Sequence, residues 1–285
     1  MKLPPFEYAS PTTLAEAIGL LAAGAGTAKA IAGGQSLLPV MAFRLAAPAL
    51  LVDLRRVPGL DRIDIDANGV CLGAKVRWRD IQDDLRLRTA HPLLAAAMSH
   101  VAHYQIRNRG TAGGSLAHAD PAAEMPGIAV TCDAELVLEG SSGRRVVQAA
   151  DFFLGALSTV LADDELIIEI RLPPWPAKRR WAFEEFSMRR GDFALAGIAA
   201  FYDLDGAGRA MNTHIGVIGA CTRAHRLRQA EAALNSRIVD AAAILAAAGA
   251  ASAAVEPPED LHASAAYRRS LVGTLLERAL LRASQ

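Results

Sequence analysis

Three prolines within four residues, at Pro173–Pro176 (PPWP), interrupt the chain about three-fifths of the way along its 285 residues. Proline has no backbone N–H and a fixed φ, so neither a helix nor an inner strand continues through such a stretch. The basic run Lys178-Arg179-Arg180 follows directly. We therefore predict a domain boundary here, with one domain over residues 1–176 and a second over residues 177–285.

Predicted strands and helices occur in separate runs on both sides of this boundary. The C-terminal part shows three β-prone segments, Trp181–Met188, Leu195–Asp203 and Arg209–Ile218, and then Ala-rich and Leu-rich helical patterns. This order predicts an α+β fold whose smaller C-terminal domain contains a three-stranded sheet. A doubly wound dinucleotide fold is disfavoured, because no Gly-x-Gly-x-x-Gly sequence lies at a strand–helix junction.

Two short glycine clusters repeat nearly the same chemistry, at Ala32–Ser36 (AGGQS) and Thr111–Ser115 (TAGGS). Adjacent glycines permit positive φ, so that successive backbone N–H groups can point to one place beside the serine hydroxyl. Neither cluster contains a lysine or an acid, so a phosphate would be held mainly by backbone dipoles. One such cluster is typical of a tight turn, whereas two together predict a site for a diphosphate.

The charge balance and the cysteines exclude several classes of function. Thirty basic and thirty acidic residues cancel, so we expect no nucleic-acid partner. Cys71, Cys132 and Cys221 are far apart and form no Cys-x-x-Cys pair, so we predict buried small side chains and no metal site. No catalytic triad, paired carboxylate or reactive cysteine is apparent, and no catalytic residue is assigned.

The sequence offers no targeting or membrane signal. Residues 1–7 contain prolines in place of an apolar signal region, which predicts a cytoplasmic protein. The apolar stretch Ala241–Val255 is shorter than the ~20 residues that a membrane span needs, so no span is expected.

The flanks of the glycine clusters resemble those of the FAD-binding medium subunit of the molybdenum hydroxylases, the family of carbon monoxide dehydrogenase and xanthine dehydrogenase. The resemblance covers nearly the whole chain in the expected order: Ala32–Pro39, Ile106–Glu124, Glu165–Pro173, Arg189–Ala194 and His262–Arg269. It implies an FAD-binding domain of the vanillyl-alcohol-oxidase / p-cresol-methylhydroxylase type, followed by the smaller domain.

The resemblance also implies which residues bind FAD. These are Ala32, Gly33, Gly34, Gln35, Ser36, Leu37, Thr111, Ala112, Gly113, Gly114, Ser115, Glu124 and Ile167. The two clusters would wrap the pyrophosphate through backbone N–H groups, and Glu124 would accept hydrogen bonds from ribityl or sugar hydroxyls. From the residues alone, Glu124 could equally cap the following helix, and Ile167 reads as a core residue of its strand.

Several charged or polar positions remain open or depart from the family pattern. Gln35 stands where relatives often have histidine, and an amide does not titrate, so proton delivery by this residue is not expected. Glu184 and Glu185 stand where relatives commonly have a lysine beside the flavin, which reverses the local charge. Arg107 and Arg109 could pair with phosphate, with Asp120 or Glu124, or with another subunit.

By resemblance, the chain is the FAD-carrying electron-transfer subunit of a molybdenum-containing hydroxylase. Electrons would leave a substrate at a molybdenum–pterin centre on a large subunit, pass through [2Fe-2S] clusters on a small subunit, and reach an external acceptor by way of this FAD. The implied assembly is a dimer of heterotrimers. The alternatives are a self-contained FAD-dependent reductase or oxidase of the same fold, and a partner-binding protein whose glycine clusters are only turns.

Overall fold

The computed structural model describes residues 2–285. The chain begins with a small parallel sheet in the order β1-β3-β2, made of β1 (Glu7–Ala9), β2 (Ala28–Ile31) and β3 (Leu50–Asp53). Helix α1 (Leu14–Ala23) connects β1 to β2, and helix α2 (Leu37–Ala42) follows β2. The Thr13 side chain caps the start of α1 by accepting a hydrogen bond from the Glu16 N–H at 3.1 Å, and the Glu16 carboxylate accepts from the Thr12 N–H at 2.9 Å.

A five-stranded antiparallel sheet forms the centre of the first domain. Its order is β4-β5-β10-β6-β7, and its strands are β4 (Ile63–Asp66), β5 (Gly69–Gly73), β6 (Glu135–Gly140), β7 (Gly143–Gln148) and β10 (Leu166–Leu172). A separate hairpin of β8 (Phe153–Gly155) and β9 (Ser158–Thr159) lies between β7 and β10 in sequence. Strands β6 and β7 form a hairpin that turns at Ser141 and Ser142.

Short helices fill the segment between β5 and β6 and cover the sheet. They are α3 (Trp78–Asp83), α4 (Leu87–Ala90), α5 (Pro92–Met98), α6 (Tyr104–Arg107), α7 (Ala112–His118) and α8 (Glu124–Thr131); α9 (Ala149–Phe152) follows β7. Every residue of α8 is buried. A helix buried on all sides lies between two packing surfaces, and for α8 the second surface belongs to the C-terminal domain.

The C-terminal domain is an antiparallel sheet covered by three helices. The three predicted strands are present as β11 (Arg180–Phe186), β12 (Ala196–Leu204) and β13 (Ala210–Ile218), and the two-residue strand β14 (His225–Arg226) extends the sheet beyond the three-stranded expectation. The helices are α10 (Arg228–Leu234), α11 (Ala241–Ala254) and α12 (Ala265–Ser284). The proline-rich segment lies between β10 and β11.

Both faces of the C-terminal sheet are covered, which explains the unbroken apolar run of β12. Ile198, Ala200 and Tyr202 pack with the three C-terminal helices, whereas Ala199 and Phe201 pack with the core of the first domain. Alternate side chains of a strand point to opposite faces, so both sets are buried. No helix within residues 2–285 is sufficiently long and apolar to cross a membrane.

Candidate functional site

A cleft of about 1340 Å³ lies at the junction of the two domains. Its walls include both glycine clusters, the start of α8, the hairpin of β8 and β9, the 187–195 loop between β11 and β12, and residues 258–268 near the start of α12. This volume exceeds the roughly 300–1,000 Å³ of typical small-ligand pockets. The cleft therefore has room for an extended ligand of dinucleotide size.

The first glycine cluster supplies free backbone donors to this cleft. The segment from Gly33 to Leu37 connects β2 to α2, and Gly34 adopts a φ of +73° that favours glycine. Within residues 2–285, the N–H groups of Gly33, Gly34, Gln35, Ser36 and Leu37 have no hydrogen-bond acceptor. Consecutive unpaired N–H groups ahead of a helix are the type of donors that bind an anion.

The second glycine cluster is the first turn of α7 and not the tight turn that its adjacent glycines suggest. The Thr111 side chain caps the helix by accepting from the Gly114 N–H at 3.2 Å. The N–H groups of Ala112, Gly113 and Ser115 donate to Val76 O, Ala74 O and Thr111 O, respectively, at 2.9–3.0 Å. Because these donors are already used, the cluster offers the cleft the Ser115 hydroxyl rather than a row of N–H groups.

Close packing explains Gly33 and Gly113, whereas positive φ explains Gly34. A Cβ on Gly33 would lie 2.9 Å from the Gly110 Cα, and a Cβ on Gly113 would lie 2.8 Å from the Ala74 carbonyl oxygen. Real Cβ atoms do not approach this closely, so larger residues would force the backbone apart. The first cluster therefore lies directly against the segment that precedes the second.

The two arginines beside the second cluster are used within the first domain. Arg107 Nη1 donates to the carbonyl oxygens of Val101 and Ala102 at 2.8 and 2.6 Å, and Arg109 Nε donates to Gly33 O at 3.3 Å. Neither guanidinium pairs with Asp120 or Glu124. Arg109 thus helps to join the two clusters.

Glu124 and Ile167 both lie on the cleft wall. Glu124 is the first residue of α8, where the helix N-terminus favours a negative side chain, but no side-chain hydrogen bond caps this helix. It is 7% exposed, and burial raises the pKa of its carboxyl to about 7. Ile167 is 5% exposed and belongs to the core of the first domain while contributing to the wall.

The departures from the family pattern have distinct environments. Gln35 lines the cleft, and its Nε2 donates to Gly33 O at 3.2 Å. The Glu184 carboxylate lies 2.7 Å from Arg282 Nη2. Glu185 is enclosed between the domains, with His100 Nδ1 at 3.9 Å, and neither glutamate lines the cleft. Neither position therefore places a negative charge on the cleft wall, and burial raises the pKa of the Glu185 carboxyl to about 8.

Sequence reasoning missed two parts of the cleft. The hairpin of β8 and β9 contributes Leu157, whose φ of +56° is rare for a branched residue. The C-terminal domain contributes Arg268, a residue within the His262–Arg269 block to which no role was assigned. Gly155 ends β8 at the hairpin turn and is a local signal for that turn. No local pattern, however, indicates that the hairpin or Arg268 reaches the cleft.

The cysteines do not form a cluster. Cys132 and Cys221 are buried, Cys71 is half-buried, and all three are free thiols. Burial raises the pKa of Cys71 to about 11 and that of Cys221 to about 12. Within residues 2–285, no group of three or more His, Cys, Asp or Glu side chains is arranged to hold a metal ion.

Two family models match the chain almost from end to end. Residues 4–175 match the FAD binding domain in molybdopterin dehydrogenase, and residues 181–283 match the CO dehydrogenase flavoprotein C-terminal domain. The chain belongs to this flavoprotein family, as the sequence resemblance and the predicted fold class indicated. It is an FAD-binding oxidoreductase component.

Individual relatives define the type of subunit. The chain is 39% identical over 283 residues to the nicotine 6-hydroxylase medium subunit of Paenarthrobacter nicotinovorans, covering 99% of both chains. It is 37% identical to the carbon monoxide dehydrogenase medium chain of Hydrogenophaga pseudoflava, covering 97% of this chain and 96% of that relative. The chain is thus a medium, FAD-binding subunit of the molybdenum hydroxylase type.

Solved structures agree with this assignment. The carbon monoxide dehydrogenase of Hydrogenophaga pseudoflava matches with a TM-score of 0.97 and 39% identity, covering 100% of this chain and 99% of that one. Quinoline 2-oxidoreductase from Pseudomonas putida 86 matches with a TM-score of 0.94 at the same identity and the same coverage of both chains.

Proposed function

We propose that the chain holds FAD in the cleft between its domains and transfers electrons from [2Fe-2S] clusters of a small partner subunit to an external acceptor. A large molybdenum–pterin subunit would oxidise the substrate, and the assembly would be a dimer of heterotrimers in the cytoplasm. Bound FAD supplies the redox chemistry by accepting and releasing electrons singly or in pairs. The chain itself supplies binding, orientation and exclusion of water.

The row of free N–H groups at Gly33–Leu37 carries this proposal. A diphosphate needs several donors without a fixed countercharge, and this segment presents five on the cleft wall. Ala32 and the second cluster, Thr111 to Ser115, would complete this part of the site, the latter through the Ser115 hydroxyl. The donor set and the volume both fit the pyrophosphate of FAD.

Glu124 and Ile167 would contact the remainder of the cofactor. A carboxylate accepts hydrogen bonds from ribityl or sugar hydroxyls, and Glu124 is on the wall beyond the glycine clusters. Ile167 would supply an apolar surface. Gln35 would donate an amide hydrogen without changing its charge, so it would orient a ligand and not deliver a proton.

The test is a titration of FAD-free chain with FAD, followed by flavin fluorescence. Gln35→Glu keeps the shape of the side chain but adds a negative charge beside the free donors. We expect one FAD per chain for the wild type and at least a tenfold weaker affinity for Gln35→Glu, which corresponds to about 1.4 kcal/mol. Gln229→Glu, on the exposed face of α10, is the matched control and leaves the affinity unchanged. Equal affinity of both variants contradicts the assignment of the site.

The partner proposal has its own test. The chain is co-expressed with the polypeptides encoded beside it and purified through a tag on this chain. Recovery of a molybdenum-containing and an iron-containing subunit in equal amounts supports the heterotrimer. Recovery of the FAD-loaded chain alone, with oxidase or reductase activity of its own, supports the self-contained alternative.

A further inference from the structure

Arg268 is a buried cation on the C-terminal-domain wall of the cleft. It lies in the first turns of α12, and its side chain is only 5% exposed. Buried arginines need a full set of acceptors, because an unpaired guanidinium in the interior is costly. The identity of those acceptors therefore indicates what the residue is for.

The guanidinium contacts three separate parts of the chain. Nη1 donates to Leu195 O at 2.7 Å and to Gly219 O at 3.2 Å, and Nη2 donates to the Asp260 carboxylate at 2.7 Å. Nε has no acceptor within residues 2–285. Two of the three acceptors are backbone carbonyls far away in sequence.

The first carbonyl belongs to a segment that forms the cleft wall. Leu195 ends the 187–195 loop, and Met188 and Gly191–Leu195 of this loop line the cleft. Leu195 also directly precedes β12. The hydrogen bond from Arg268 to its carbonyl oxygen therefore fixes the end of the loop relative to α12.

The second carbonyl connects Arg268 to the first domain. The N–H of Gly219 donates to Pro121 O at 2.9 Å, and Pro121 lies in the short segment that leads to Glu124. Gly219 has a φ of +73°, and a Cβ there would lie 3.0 Å from the carbonyl carbon of Ala194. One side chain thus ties the 187–195 loop and the Pro121–Glu124 segment to the same point.

The charge of Arg268 is balanced locally. The Asp260 carboxylate also accepts from the N–H groups of His262 and Ala263 at 2.9 and 3.0 Å. These backbone donors, together with Arg268, hold the pKa of Asp260 at about 2, so the pair is ionised and neutral overall near pH 7. What distinguishes Arg268 is therefore its planar set of donors, which the point charge of a lysine does not reproduce.

We propose that Arg268 is a positioning residue for the cofactor site: its bonds to Leu195 O and Gly219 O hold the 187–195 loop and the Pro121–Glu124 segment in the geometry that retains FAD. The inference rests on the proposed function in one respect, the presence of FAD in this cleft. It assigns to a residue of the C-terminal domain a part in cofactor retention through the segments that it holds in place.

The test compares Arg268→Lys and Arg268→Met with Arg269→Met in the full chain. Arg269 is exposed, does not line the cleft, and makes one long bond of 3.4 Å to Val255 O. Two quantities are measured: the FAD dissociation rate after dilution, and hydrogen exchange of residues 119–124, 187–195 and 215–221 in FAD-free protein. We expect both Arg268 variants to lose FAD at least ten times faster and to exchange faster in these three segments, while Arg269→Met matches the wild type.

Two results would overturn the proposed role of Arg268, and a third would overturn the proposed function. If Arg268→Lys retains FAD as the wild type does, charge and not donor geometry matters, and the inference is overturned. It is also overturned if Arg268→Met only lowers the urea midpoint while the dissociation rate and the visible circular dichroism of the flavin stay unchanged. If the wild type binds no FAD, the proposed function fails, and hydrogen exchange still tests the positioning role of Arg268.

Discussion

Replacing Glu185 with glutamine should stabilise the protein, and increasingly so as the pH rises. The Glu185 side chain is 4% exposed, and its Oε2 has no hydrogen-bond partner within residues 2–285. Burial, and to a lesser extent the charge of Glu124, raises the pKa of the Glu185 carboxyl from 4.5 to about 8. The folded protein therefore keeps a proton that the unfolded chain releases.

The sign and size of the effect follow from proton linkage. Below pH 4.5 both states hold the proton and the carboxyl costs nothing; between pH 4.5 and about 8 only the folded state holds it, and stability falls as the pH rises. The slope is about 1.4 kcal/mol per pH unit for one proton. Between pH 5 and pH 7 the wild type should therefore lose about 3 kcal/mol relative to Glu185→Gln.

The assay is urea unfolding of FAD-free protein at pH 5, 6 and 7, with the two proteins compared at each pH. Glutamine does not titrate, so the cost of burying its amide is the same at each pH. It therefore shifts the difference in free energy of unfolding between the two proteins equally at all three pH values. Glu184→Gln is the matched control from the same strand; its carboxylate is paired with the exposed Arg282, so its removal should cost less than about 1 kcal/mol. The same difference between wild type and Glu185→Gln at pH 5 and pH 7 would refute the reasoning.

Three further predictions concern packing, the domain junction and the thiols. Gly113→Ala should destabilise the protein by about 1–3 kcal/mol in urea because its Cβ meets Ala74, whereas Gly19→Ala, with nothing within 4 Å, should stabilise α1 by about 1 kcal/mol; equal effects would contradict the packing argument. Arg226→Met should cost about 2–3 kcal/mol, because the buried Glu231 carboxylate keeps only the exposed Arg228 and the Ile215 N–H as partners, whereas Arg228→Met should cost less than about 1 kcal/mol. Burial raises the pKa of all three thiols, so at pH 8 they should react with a disulfide reagent only after unfolding in urea; rapid labelling of folded protein would contradict this.

The hydrophobic pattern predicted the C-terminal sheet. Its strands either alternate apolar and polar residues or consist of a short continuous apolar run, and neither pattern is typical of a helix. The three main strands lie within two residues of their predicted ends. The two-residue strand β14 was not predictable, since Arg226 is held at its place beside Gly216 of β13 by tertiary contacts, among them the salt bridge to Asp133. Two residues are too few to show the hydrophobic alternation of a strand.

The glycine clusters show where local reasoning ends. Two glycines in sequence disfavour a helix by about 1 kcal/mol each, so local sequence favours a tight turn at Thr111–Ser115. The helix forms because Thr111 caps it and because only glycine allows α7 to lie against Ala74. That contact joins residues almost forty positions apart, and no local pattern reveals it. The domain boundary and the individual FAD contacts remain predictions.

The most direct test of the account is hydrogen exchange of the chain with and without FAD. The central claim is that the pyrophosphate takes up the free N–H groups of Gly33–Leu37. Added FAD should slow exchange of these five amides at least tenfold, while the already bonded amides of Ala112–Ser115 change much less. Tight FAD binding without protection of residues 33–37 would contradict the account.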